Sequence, residues 1–352
     1  MARLALVTSN CASRERFFRA GGIRFIADIL PYLAERYDVE FYVAGGENDV
    51  FDYRGARVHI VQSRKIPFID KRFLPPLDID ADVFLFLDYA AAISRNGGEH
   101  NLVVFHHLAQ SFNDENPELY RKYFGRIGQR YLQMERFVLG RVQKKTELAL
   151  AVSNVSVPYL RELGFDVRIV GNGIDVSRYR QGRKEDYAVV IGRLVNYKRV
   201  EWALEVARKT GIPLKVIGTG PMESCLRKIA PKNVEFLGYV DEEEKIDILS
   251  RARYLFAFSA FEGFDLPVIE AMATKTVPIV SRIRAHEFIF AGEDAGIMVD
   301  SVGGAVDALN RLERDENLHD RLAENGRRLV ETKWNAEIVA GKYIDAIESV
   351  TG

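Results

Sequence analysis

Residues 254–273 read YLFAFSAFEGFDLPVIEAMA. An apolar run ends at Phe258, as a buried strand would. A loop follows with Glu262, Gly263, Phe264, Asp265 and Leu266. Pro267 then stands where a first helical turn begins, a position proline favours because its missing N–H is not needed there. Glu270 lies early in that helix. The carboxylates Glu262 and Glu270 flank this strand–loop–helix corner with seven residues between them. One can face a sugar while the other accepts both hydroxyls of a ribose diol, as acidic residues do in dinucleotide sites. Free N–H groups of Gly263 to Leu266 would meet anionic or hydroxyl groups at the helix start.

Outward from this corner the same alternation repeats. Ala188–Ile191, Leu214–Ile217, Val234–Phe236 and Val277–Val280 read as further strands. Val200–Lys209, Met222–Ile229, Glu242–Ser250 and Pro267–Thr274 read as the helices between them. An earlier series has strands at Leu4–Thr8, Val39–Ala44, Val83–Leu87, Leu102–Phe105 and Leu148–Val152. Between its first two strands, Gly22–Arg36 has a helical apolar period. Strands alternating with helices argue for βαβ units and parallel sheets. The Gly-rich, polar stretch Gly171–Arg183 reads as the join, and Val306–Val350 as a helical tail. The expected organisation is a domain over 1–170, a hinge over 171–186, a second domain over 187–333 and a terminal helix over 334–352. Ligands of open α/β sheets bind at the carboxyl ends of the strands.

The 352 residues fit two domains, and 47% hydrophobic with 28% charged residues excludes disordered and fibrous classes. A net charge of −1 gives no reason to expect nucleic acid. No stretch approaches the roughly 18 apolar residues of a membrane span, and the N-terminus reads as a strand rather than a signal peptide. Two distant cysteines, Cys11 and Cys225, exclude a disulfide scaffold or a Cys-rich zinc site. The expectation is a cytoplasmic protein.

The 254–273 segment resembles the signature of GT-B glycosyltransferases, in particular the retaining family 4 group. That signature sets two glutamates around Gly-Phe-Gly-Leu-Pro, followed by Glu-Ala-Met-Ala. Asp265 stands here where the family has its second glycine, adding a charge near the bound sugar that bears on donor preference. The resemblance is strong over Ala188–Asp300 and weaker before residue 150. It implies an α/β fold of two Rossmann-like domains facing a central cleft. It further implies a nucleotide-sugar donor bound mainly by the second domain and a metal-independent reaction without cofactor.

By the same resemblance, Arg193 and Lys198 in VVIGRLVNYK hold the donor diphosphate, Glu262 the sugar and Glu270 the ribose. Gly218 and Gly220 (VIGTGP) lie beside the base. Gly21 and Gly22 let a phosphate approach a helix start, and His107 or His106, ending a strand, touches the transferred sugar. Apart from the resemblance, the long stretch Ser9–Ala20 before Gly21 carries Arg14, Arg16 and Arg19 and is expected to shape an acceptor site. Asn172, Gly173 and Asp175 match an inter-domain phrase and read as hinge residues. Trp334 reads as a packing anchor of a terminal helix that crosses back to the first domain.

Two features stand apart. Asp78, Asp80 and Asp82 mimic an Asp-x-Asp metal motif but precede a strand, the wrong end for a ligand. Tyr120–Lys145 reads as a helical stretch with eight Lys and Arg against Glu135 alone. Such a basic amphipathic surface can rest on anionic lipid, which suits a lipid-linked acceptor. The expected function is transfer of a hexose, leaning to mannose from GDP-mannose, onto a saccharide or lipid-linked acceptor. The alternatives are a sugar-nucleotide 2-epimerase of the same fold and a non-catalytic nucleotide-sugar-binding subunit.

Overall fold

The computed structural model describes residues 1–13, 21–65, 72–93 and 96–352. Arg14, Arg16 and Arg19 lie outside them. The chain divides into two compact units: Met1–Asp175 with Ala336–Gly352, and Val176–Asn335.

Unit 1 is built on β1 (Arg3–Ala12), β2 (Asp38–Gly45), β3 (Asp49–Tyr53), β4 (Ala56–Gln62), β5 (Val83–Phe86), β6 (His100–Phe105), β7 (Leu148–Ala151) and β8 (Val167–Ile169). They form one sheet in the order β8-β7-β6-β5-β1-β2-β4-β3. Every pairing in it is parallel except β3 with β4. The central strands are apolar on both faces because helices cover both, as parallel sheets require. Ala5, Val7, Phe84, Phe86, Val103 and Phe105 form the strand side of this core.

Two departures from the sequence reading have local causes. The helix expected over Gly22–Arg36 is two, α1 (Gly21–Ala27) and α2 (Leu30–Arg36). Pro31 has no N–H to give the Ala27 carbonyl, and Arg54 Nη1 supplies that carbonyl's hydrogen bond at 2.9 Å instead. The β3–β4 hairpin was not expected. Its turn, Arg54 (φ 48°) and Gly55 (φ 87°), is a two-residue left-handed one, and β3 buries no residue.

After β6 come α3 (Ala109–Glu115) and α4 (Pro117–Gln143). α4 corrects the reading of Tyr120–Lys145 as a single helix, because Gly125 (φ 55°, ψ −147°) breaks it. Glu135 does not join the charged surface either. It is buried and accepts from the amides of Ala109 (3.1 Å) and Gln110 (3.0 Å), capping α3. Burial pushes its carboxyl up.

Unit 2 holds β9 (Glu185–Ile191), β10 (Leu214–Ile217), β11 (Val234–Gly238), β12 (Ala252–Ala257), β13 (Val277–Ser281) and β14 (Ile297–Val299). All are parallel, in the order β11-β10-β9-β12-β13-β14. The helices that bear on the site are α5 (Val200–Thr210), α6 (Glu242–Arg251), α7 (Leu266–Ala273) and α8 (Arg284–Phe290). At the amino ends of β12 and β13, Lys184 Nζ donates to Ala252 O (2.8 Å), Thr274 O (2.9 Å) and Thr276 Oγ1 (2.8 Å). Among the described residues no carboxylate joins these partners, and burial lowers the ammonium to about 7.

The last helix, α9 (Ala336–Thr351), lies in unit 1 against α2. Arg36 Nη2 meets Glu348 at 2.7 Å and Arg168 Nη1 donates to Asp345 O at 3.0 Å. Gly173, read as a hinge glycine, has a packing duty: a Cβ there would stand 2.9 Å from Val339 Cβ and 3.0 Å from Ala336 Cα. Among the described residues no helix is long and apolar enough to cross a membrane.

Candidate functional site

The loop after β9 and the loop after β12 sit side by side at the carboxyl ends of neighbouring strands. The amide of Ala260 donates to Tyr197 O at 2.7 Å, joining them. Arg193 follows β9 and is exposed, with no ion pair among the described residues. Lys198 closes a 3₁₀ turn, Asn196–Lys198, and its ammonium turns inward. Lys198 Nζ lies 2.5 Å from Glu262 Oε1 and 3.6 Å from Asp265 Oδ1.

Asp265 in turn faces His286 of α8, Oδ2 to Nε2 at 3.1 Å. His286 is fully buried, and its Nδ1 lies 2.7 Å from Ser281 O at the end of β13. A carbonyl only accepts, so Nδ1 carries the hydrogen there. One ammonium thus serves two carboxylates, and a histidine supports the second. Burial raises the Glu262 carboxyl, against the pull of Lys198. Burial also acts to raise Asp265, but the Lys198 charge and the His286 hydrogen bond outweigh it and hold that carboxyl below its ordinary value. Burial works against the Lys198 ammonium, and the charges of Asp265 and Glu262 more than restore it, so its pKa stands above the usual lysine value.

Glu270 forms a separate cluster. It is 2% exposed on α7, with Oε1 2.8 Å from Lys245 Nζ and 3.1 Å from Tyr179 Oη. Lys245, on α6, also meets Glu242 at 3.1 Å. Glu262 and Glu270 therefore take different cations rather than converging on one point. Phe264 packs edge-on to Trp334, ring centroids 5.3 Å apart, and Phe288 completes that cluster. Trp334 Nε1 donates to Ile289 O at 2.9 Å. Gly263 and Phe264 lead into Asp265, which stands at the N-cap of α7 without capping through its side chain, and Leu266 opens the helix.

Gly218 (φ 128°) follows β10, and a Cβ there would stand 1.9 Å from Gly192 O. At Gly220 a Cβ would stand 2.4 Å from Leu194 O. Both glycines therefore let the β10 loop lie directly on the β9 loop that carries Arg193.

In unit 1, Gly21 and Gly22 open α1. His106 is half-buried and edge-on to Phe25 at 4.1 Å, while His107 is exposed. Sequence reasoning missed Asp88, which follows β5 and accepts from Thr8 Oγ1 (2.8 Å), Ser9 N (3.0 Å), Ser9 Oγ (2.6 Å) and Ala91 N (2.9 Å). It also missed His286, Lys245 and Tyr179, which lie in unremarkable helix and loop text far from their partners. The Asp-x-Asp mimic is held by Arg3. The Arg3 amide donates to Asp82 Oδ2 at 2.7 Å, and its guanidinium pairs with Asp80. Among the described residues one cluster has metal-ligand spacing, Glu316, His319 and Asp320, and Arg253 already pairs with Glu316 at 2.7 Å.

Residues 175–329 match the family model described as glycosyl transferases group 1. The O-antigen chain mannosyltransferase C of Escherichia coli is 24% identical over 180 residues, 48% of this chain and 48% of that protein. The phosphatidyl-myo-inositol mannosyltransferase of Mycolicibacterium smegmatis is 26% identical over 232 residues, 58% of this chain and 57% of that protein. The chain spans about half the length of the curated relatives it matches. Among solved structures, a sucrose-phosphate synthase from Thermosynechococcus elongatus superposes with TM-score 0.79 at 16% identity, covering 100% of this chain and 99% of that one. Anabaena HepE in complex with UDP and glucose superposes with TM-score 0.75 at 11% identity, covering 99% and 100%. The fold is that of the GT-B glycosyltransferases.

Proposed function

We propose that the protein is a retaining, metal-independent glycosyltransferase of family 4, moving a hexose from a nucleoside diphosphate sugar to a hydroxyl acceptor. One observation carries this reading. An exposed guanidinium (Arg193) and a carboxylate-clamped ammonium (Lys198) stand beside Glu262 at the carboxyl edge of the unit 2 sheet. Departure of a nucleoside diphosphate leaves charge on its phosphates, and fixed cations lower the barrier by meeting it.

In this reading Arg193 and Lys198 steady the diphosphate, assisted by amides of Gly263 to Leu266 at the start of α7. Glu262, anchored through Lys198, meets the sugar, and Asp265 tunes it. Glu270 takes the ribose hydroxyls, with Lys245 and Tyr179 holding its carboxylate in place. The acceptor oxygen bonds to the anomeric carbon on the face from which the diphosphate departs. The C–O bond breaks with its electron pair going to the diphosphate, and a leaving phosphate oxygen takes the acceptor's proton. No glycosyl–enzyme bond is formed, unlike in the retaining hydrolases.

Relatives named as mannosyltransferases favour GDP-mannose as donor and a saccharide or lipid-linked acceptor. Thermal shift against UDP-, GDP- and ADP-hexoses tests the donor. A donor at 100 times its dissociation constant stabilises by about 2.7 kcal/mol. The expected result is a shift with GDP-mannose that Arg193→Ala and Glu270→Gln abolish, and transfer unchanged by EDTA. No shift with any nucleoside diphosphate sugar overturns the reading.

A further inference from the structure

His286 on α8 is a titratable side chain sealed from solvent, and the donor chemistry makes no use of it. Both of its ring nitrogens face oxygen. Nδ1 lies 2.7 Å from Ser281 O, and Nε2 lies 3.1 Å from Asp265 Oδ2. A backbone carbonyl can only accept a hydrogen bond, and so can an ionised carboxylate. Burial works against ionisation of Asp265, and the Lys198 ammonium, 3.6 Å from Oδ1, restores it. Each ring nitrogen then carries a hydrogen, and a ring with both is an imidazolium. A charge so deeply buried persists only when it is paired.

The charges fall in a row. His286 meets Asp265, Asp265 meets Lys198, and Lys198 meets Glu262. Two cations alternate with two anions, so the row is neutral as a whole. Asp265 is its unexpected member, because glycine stands in that place in the signature this segment resembles. The Asp265 carboxyl lines a small cavity together with Gly192, Arg193, Lys198 and Ser259. An uncompensated anion in that wall would oppose any phosphate drawn in by Arg193 and Lys198.

We propose that His286 is a buried cation that cancels the charge of Asp265 and so leaves Arg193 and Lys198 at full strength toward a nucleoside diphosphate. It is a positioning residue, acting through Asp265 rather than on the donor. For its ligand the proposal rests on the donor-site reading. For its charge state it rests on the hydrogen bonds of the ring alone. The fold thus supplies a counter-charge to Asp265 from 21 positions along the chain.

Two measurements on the full chain test this. His286→Gln keeps an N–H that can face Asp265 and removes the positive charge. Asp265→Asn/His286→Gln removes both charges and restores neutrality. Side-chain nitrogen NMR of histidine-labelled protein reads the ring directly. The chain has six histidines, and the resonances missing from both variants identify this one. At neutral pH both of its nitrogens should be protonated in the parent, and a neutral tautomer overturns the proposal. Titration calorimetry with GDP and UDP reads the consequence. His286→Gln should bind at least about tenfold more weakly than the parent, with one buried anion left uncompensated beside the phosphates. The double variant should return to within about threefold of the parent, a rescue that lost packing would not give. Thermal unfolding certifies each variant, and stability regained in the double variant makes the same point if the single one unfolds. Parent-like binding by His286→Gln, or a double variant no better than the single, overturns the proposal. Binding of neither nucleotide by the parent overturns the donor-site reading, with the state of the ring still read by NMR.

Discussion

Replacing Lys198 by methionine keeps an unbranched side chain, one atom shorter, and removes its charge. Its ammonium stands 2.5 Å from Glu262 and 3.6 Å from Asp265. At an effective dielectric constant of about 20, those separations correspond to gross attractions of about 7 and about 5 kcal/mol. Desolvation of three ionic groups and repulsion between the two carboxylates take back most of that. What the variant exposes is the cost of two buried carboxylates without their cation, and breaking such a pair costs about 3–5 kcal/mol. The penalty depends on pH with a definite sign. Without Lys198, both carboxyls bind protons more tightly in the folded chain than in the unfolded one. Protonation relieves the penalty, so it is small at pH 4–5 and complete at neutral pH. Urea unfolding of parent, Lys198→Met and Lys198→Met/Glu262→Gln at pH 5 and pH 8 measures this. The single variant should lose about 3–5 kcal/mol at pH 8 and clearly less at pH 5, and the double variant should recover at least about 1 kcal/mol at pH 8. A loss under about 1 kcal/mol at pH 8, or one independent of pH, refutes the claim that Lys198 holds the two carboxylates.

Lys184 gives the opposite pH signature. Its folded value near 7 lies below that of an unfolded lysine, so the native state sheds this proton first and stability rises with pH. Between pH 7 and 9 the group contributes an increase of about 2 kcal/mol, and Lys184→Met should remove that slope in urea unfolding measured across the range. At Gly218 the added methyl of Gly218→Ala collides with the Gly192 carbonyl at 1.9 Å. Its midpoint should correspond to a loss of about 3 kcal/mol or more. Gly211→Ala also has a positive φ (79°) but meets nothing within 4 Å, and should cost only about 1 kcal/mol. Equal losses at the two glycines would contradict the role given to Gly218 in seating the β10 loop on the β9 loop.

What the sequence made legible follows from burial. The strands β1, β5, β6, β9 and β12 are apolar on both faces, so each announces itself as an unbroken run. β3 has one face in solvent and reads Asp-Val-Phe-Asp-Tyr, which gives no such run. The break after Ala27 needed Pro31 to be weighed against a good helical period. In the site, Arg193, Lys198 and Glu262 were legible as residue types in the loops after strands, and Glu270 as an early residue of the following helix. Their pairing was not. Lys198 reaches Glu262 across 64 positions, Lys245 reaches Glu270 across 25, and His286 reaches Asp265 across 21. Distances of that kind are set by strand order, which no local pattern encodes. Phe264 shows the same limit, since its neighbours Phe288 and Trp334 come from elements further along the chain.

The return of α9 to unit 1 sets an order for assembly during synthesis. The 160 residues Val176–Asn335 lie between the two segments of unit 1. At about 5–20 residues per second, a ribosome takes roughly 10–30 s to traverse them. Throughout that interval α2 has emerged without its partner, and the side chains that α9 brings, Tyr343 and Ile347 among them, are fully buried when it docks. Unit 2 is contiguous and can close on itself as it appears. Unit 1, though made first, is finished last, and its apolar seam is where a chaperone would be needed.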